Sequence, residues 1–156
     1  MRDSIVMSGM LILQPAVALM VWTMVMWAWM YATRLPAMQK AKVDPDSLAR
    51  DPDTSLDRML PREVQWKAHN YNHLHEAPTL FYAVAIILAY AGHGEGINVT
   101  LAWAYVGLRV VHSIVQATVN RVAVRFVLFA LSSLVLAALI VRAAVVVFGL
   151  ADQTGA

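Results

Sequence analysis

Four side chains in one short stretch are able to act as ligands together: His69, His73, His75 and Glu76, within Lys-Ala-His-Asn-Tyr-Asn-His-Leu-His-Glu-Ala-Pro-Thr-Leu-Phe-Tyr from Lys67 to Tyr82. At about 100° per residue of helix, His69, Asn72, His73 and Glu76 share an arc roughly 100° wide, with Pro78 a half-turn further on. His69 and His73, one turn apart, together with Glu76 would suit zinc or iron. Helical histidines near an interface are more commonly hydrogen-bonded or solvated, so no metal is assigned. Haem would require axial histidines on facing helices at matching depth, for example His73 and His112. The sequence places His73 near the cytoplasmic edge and His112 deeper, which argues against it.

A second set follows an i, i+3, i+7, i+11 spacing: Arg109, His112, Gln116 and Asn120, with Ser113 beside them. On a helix this is a stripe roughly 80° wide. A charge in the middle of an apolar helix costs about 2.5–3.5 kcal/mol on insertion scales. Arg109 therefore needs a partner or a polar cavity, and Glu76 is the one acid the sequence places within reach. Either the two form a structural pair that fixes helix register, or they line a ligand site. A surplus of cations favours the site: Arg121 and Arg125 crowd the same end, with Lys67 near them. One acid, two amides, histidines and excess cations suit a polyanionic ligand that also carries an amine. Glutathione has two carboxylates, one ammonium and a thiol, and an arginine beside the sulfur lowers a thiol pKa by about one to three units.

These residues sit in a chain built for lipid. Of 156 residues, 60% are hydrophobic and 14% charged, and the mean hydropathy is +0.58, values that mark an integral membrane protein. There is no cysteine, which excludes a disulfide framework, a thiolate metal site and a cysteine nucleophile; any thiol must come with a ligand. The net charge of +2 says little about nucleic acid.

The spacing predicts a single domain, 1–156, with an all-α fold: four transmembrane helices in an up-down bundle, spanning about 10–31, 63–91, 99–119 and 124–150. The first run carries Trp22, Trp27, Trp29 and Tyr31, rings expected at a membrane interface. It continues well past the Ala16-Val17-Ala18 motif, too long for a signal peptide, and is read as a retained span. Residues 33–61 are polar and carry Pro36, Pro45, Pro52 and Pro61; they read as a solvated loop with one short helical turn. Pro61 suits a helix start, and Pro78 should bend the second helix just past Glu76. Gly92-His93-Gly94-Glu95-Gly96 reads as a tight turn. From Leu108 to Phe148 there is neither glycine nor proline. One helix there would be about 60 Å long, so the chain must turn back, and the polar patch Gln116 to Arg125 places that turn around Asn120 and Arg121. Arg34, Lys40, Lys42, Arg50, Arg58, Arg62, Lys67, Arg121 and Arg125 fall on one side, with Arg2 opposite and Arg142 placed to snorkel. By the positive-inside rule the loop and the last hairpin face the cytoplasm, and both termini face outward.

His75-Glu76-Ala77-Pro78-Thr79-Leu80-Phe81-Tyr82, together with Arg109-Val110-Val111-His112, Asn120-Arg121 and Arg125-Phe126, resembles the MAPEG family, membrane-associated proteins in eicosanoid and glutathione metabolism. It is most similar to the bacterial branch. The likeness covers most of the chain. It implies a homotrimer of four-helix subunits in the bacterial inner membrane, with glutathione bound between neighbouring subunits on the cytoplasmic side. By position, Glu76 would hold the glutathione amine. Arg109 would structure the pocket or meet a carboxylate, and His112 would line it, with Asn72, His73, Gln116 and Arg121 completing the glutathione-binding set. Arg125 matches the catalytic arginine that stabilises the thiolate. The implied activity is a glutathione transferase or peroxidase acting on a hydrophobic electrophile. Two departures stand out: Gln116 where family enzymes often carry tyrosine, and Asn72-His73 where they carry an Arg-Asn pair. Because some family members bind lipid without catalysis, a non-catalytic lipid-binding or scaffold trimer is the alternative.

Overall fold

The structure is a computed structural model that describes residues 9–44, 46 and 55–149. Every regular element among them is helical: α1 Leu13–Lys40, α2 Leu56–Met59, α3 Arg62–Glu76, α4 Thr79–Tyr90, α5 Ile97–Ala117 and α6 Val122–Val147. Arg2, Arg50, Leu150 and the Asp51-Pro52 turn lie outside the described residues.

α1, α5 and α6 are long and apolar enough to cross a bilayer. The sequence anticipates a fourth such helix, and here the structure differs. The stretch from Arg62 to Tyr90 is two helices, divided at Ala77–Pro78. Proline has no N–H to return to Leu74 four residues back, so the ladder breaks where a bend was expected. The apolar piece α4 has 12 residues, or about 18 Å, short of the roughly 30 Å of a hydrocarbon core.

The first helix also departs from expectation. Residues 33–40 were read as loop, yet α1 runs through Arg34 and Pro36 to Lys40. Its 28 residues extend about 42 Å, well beyond one hydrocarbon thickness. An aromatic belt marks where the membrane ends; it does not oblige the helix to end there. The expected helical turn inside the 33–61 segment is α2. Gln65 of α3 clamps this region by donating Nε2 to the carbonyls of Asp57 (2.5 Å) and Leu60 (2.6 Å).

α5 and α6 form an antiparallel hairpin through four residues, and Asn120 takes a left-handed backbone there (φ 48°). The turn falls where the polar patch places it. α1 packs on α3, α4 and α5, α3 packs on α5, and α4 packs on α6. The resulting core is built from Leu19 and Met26 of α1, Leu74 of α3, Phe81 and Leu88 of α4, Tyr105 of α5 and Leu139 of α6. Phe81 and Tyr105 stack at 4.5 Å.

The glycine turn between α4 and α5 ties the far end together. Ile12 N–H donates to the Gly94 carbonyl at 2.9 Å. A Cβ on Gly94 would collide with the Gly9 carbonyl, so only glycine permits the approach of α1 to this turn. Arg142 does not simply reach for the interface: its Nε donates to Asn98 Oδ1, and Asn98 Nδ2 donates to the His93 carbonyl at 2.7 Å.

Candidate functional site

The polar stripe of α5 faces inward, as its spacing requires. Arg109, His112, Ser113 and Gln116 are all buried. The face α3 offers in return is Gln65, Ala68, Asn70 and Leu74. The arc singled out in the sequence points elsewhere: His69, Asn72 and Glu76 are exposed, and only His73 is half-buried. Burying Ala68 and Leu74 against α1 and α5 turns that arc outward.

The expected Arg109–Glu76 pair is therefore not formed. Arg109 is 1% exposed and directs Nη2 at the His73 carbonyl, 3.5 Å away. Its Nε is buried without a partner. The His73 carbonyl also accepts the Ala77 N–H at 3.2 Å, so Arg109 meets the C-terminal end of α3, where the helix dipole places about half a negative charge. Tyr105 meets the same end, its hydroxyl donating to the Ala77 carbonyl at 3.4 Å, and Thr79 Oγ1 donates to the His75 carbonyl at 2.8 Å. A buried arginine directed at backbone carbonyls is one of the arrangements that make such a residue tolerable in a membrane.

Asn70 joins the two polar helices. It is fully buried, and its Nδ2 donates to Ser113 Oγ at 2.6 Å, while its Oδ1 has no partner. This bond sits one turn before His73 and beside His112, and it sets α3 against α5. The two imidazoles come to 5.2 Å between ring centres. The sequence put them at different depths; the structure puts them side by side, too close for a porphyrin to lie between them. Among the described residues no group of three or more histidine and carboxylate side chains gathers around a metal position. His69 instead meets Asp57 at 3.3 Å, and Lys67 turns its Nζ to the Glu63 carbonyl and the Trp29 ring, away from the imidazoles.

Around this pair the helices leave a cleft of about 270 Å³, lined by His73, His112, Val122, Arg125, Phe126 and Phe129. Phe129 lies 5.8 Å from the His73 ring. Arg125, one turn into α6, donates Nη1 to Asn120 Oδ1 at 2.7 Å. Its Nε is buried without a protein partner, as is His112 Nδ1. Both atoms are shielded from solvent at the wall of the cleft, and a buried polar atom left unpaired is costly. A neighbouring pocket of about 310 Å³ shares Phe129 and is lined by Arg109, Tyr105, Ser132, Ser133 and apolar side chains of α4 and α6.

The structure thus gathers His73, His112 and Arg125 in the cleft, with Arg109 in the adjoining pocket. Gln116 is buried, its Oε1 unpartnered, and does not line the cleft. Asn72, Glu76 and Arg121 are exposed and are not among the residues that line it. Asn70 is the residue that sequence spacing missed. Its signal was an amide in a polar helix opposite a serine on the next polar stripe.

Long apolar helices that carry a cationic, histidine-lined cleft define an integral membrane protein of the bilayer with a polar site. The sequence profile of the MAPEG family matches residues 12–145, and the chain belongs to that family. The family includes glutathione-dependent transferases and peroxidases, and its members commonly use glutathione. Comparison with curated proteins and with solved structures returned no match.

Proposed function

We propose that the protein is a glutathione-dependent membrane enzyme of the transferase or peroxidase type, acting on hydrophobic electrophiles. The observation that carries this reading is Arg125: a half-buried guanidinium with an orphaned Nε, facing two imidazoles in a cleft of a MAPEG-family chain. Glutathione supplies the nucleophilic sulfur when bound. The residues fit it, since Arg125 offers an anion partner and His73 and His112 offer polar walls. Arg125 is the catalytic residue, holding the sulfur as thiolate by charge proximity. Phe126 and Phe129 give the electrophile an apolar wall continuous with the lipid-facing side of α6.

In this reading Glu76 and Asn72, exposed on the outer face of α3, complete the site across the junction with a neighbouring protomer of a homotrimer. A carboxylate at the end of an apolar bundle calls for such a partner. Arg109 holds the end of α3, while Gln116 and Arg121 support the site from α5 and its turn. The α5–α6 hairpin faces the cytoplasm of a bacterial inner membrane, both termini face outward, and α3–α4 together form the fourth crossing.

The test is a titration of purified protein with glutathione, following the ultraviolet thiolate band, alongside conjugation to an electrophilic aromatic. Wild type should give both, and Arg125→Ala should lose the thiolate band and all but a residual conjugation rate. A folded wild-type oligomer that gives neither refutes the enzyme and leaves a lipid-binding scaffold.

A further inference from the structure

We infer that Asn120 is a positioning residue that aims Arg125 into the cleft. The inference rests on the proposed role of Arg125, and it concerns how that arginine is held.

Asn120 closes the α5–α6 turn with φ 48°, a conformation that asparagine adopts more readily than most non-glycine residues. Its N–H donates to the Val115 carbonyl at 2.7 Å, fixing the residue to the end of α5. From that anchored backbone its Oδ1 accepts Arg125 Nη1 at 2.7 Å. A guanidinium presents two-donor edges, and one of them pairs Nε with Nη2. With Nη1 held by Asn120, the guanidinium is fixed at the wall of the cleft. Nε is the atom found buried with no protein partner.

An untethered arginine populates many rotamers and would spread its charge over many positions. Asn120 removes that freedom from one side only. The geometry orients the charge without neutralising it, which an aspartate in its place would do. His73 of α3, His112 of α5 and Phe129 of α6 complete the surroundings of the guanidinium.

The experiment separates the hydrogen bond from the turn. Asn120→Gly keeps the left-handed backbone at no steric cost and deletes the oxygen. Two readings are taken on wild type and variant: the pH midpoint of the glutathione thiolate band, and the affinity for S-methylglutathione, whose sulfur cannot ionise. The variant should bind S-methylglutathione as wild type does. Its thiolate midpoint should rise by about one unit, a tenfold loss of thiolate at a pH below both midpoints. In an Arg125→Ala background the glycine substitution should leave the residual conjugation rate unchanged, because the route of its effect is gone. An unmoved midpoint in Asn120→Gly, or an equal effect without Arg125, overturns the positioning role and leaves the enzyme reading standing. A wild-type protein with no thiolate band overturns both.

Discussion

Ser113→Ala tests whether one buried bond sets the cleft. Asn70 and Ser113 are fully buried, 43 positions apart in sequence, and joined by a 2.6 Å bond from Nδ2 to Oγ. Interhelical hydrogen bonds within membranes contribute about 0.6 kcal/mol on average and up to about 1.7 kcal/mol. Stranding a buried amide donor costs about 1–3 kcal/mol. These figures describe overlapping effects, and Asn70 already has an unpartnered Oδ1, so the alanine variant should lose about 1–2 kcal/mol. The assay is reversible unfolding in mixed micelles, followed by far-ultraviolet circular dichroism. Asn70→Leu with Ser113→Ala removes both polar groups and should cost less than the two single changes added together. Additive losses, or a Ser113→Ala variant within about 0.3 kcal/mol of wild type, would show that the pair does not hold α3 on α5.

The other expectations concern the frame and the ligand. Phe81, fully buried and stacked on Tyr105, should cost about 3–5 kcal/mol as Phe81→Ala in the same unfolding assay. Gly94→Ala should lose about 1–3 kcal/mol, because the new methyl meets the Gly9 carbonyl and α1 must withdraw. Glu76→Gln should weaken glutathione binding roughly tenfold, as expected for losing a charge-assisted contact to its amine. It should leave the unfolding midpoint in place, since Glu76 is exposed; calorimetric titration measures the first and the micelle assay the second.

The apolar runs were legible in the sequence because lipid demands them, and the turn at Asn120 followed from a limit on helix length and a polar patch. The cleft was partly legible: His112 belongs to a spacing on one helix, Arg125 entered as a surplus cation and through the family resemblance, and His73 came with its polar stretch. The partner of Arg109 was not legible. Glu76 was the one acid the expected spans placed within reach, but the burial of Leu74 and Ala68 rotates it outward, and the His73 carbonyl near the end of α3 takes its place. Asn70 escaped notice because its meaning depends on Ser113, 43 positions away, and one helix's periodicity carries no information about another's. The end of α1 was misplaced because composition reports membrane depth, whereas Pro36 proved compatible with continued helix.

The division of α3 from α4 has a consequence for how motion is shared. The last carbonyls of α3 are met by α5 side chains, while α4 packs on α6. Twisting at Ala77–Pro78 would move the His73 turn against α1 and α5, while α4 is held by α1, α6 and the stack of Phe81 on Tyr105. In deuterium exchange the amides of α3 should open together, on their own clock, while those of α4 remain protected. The membrane anchor then stays still while the cleft breathes.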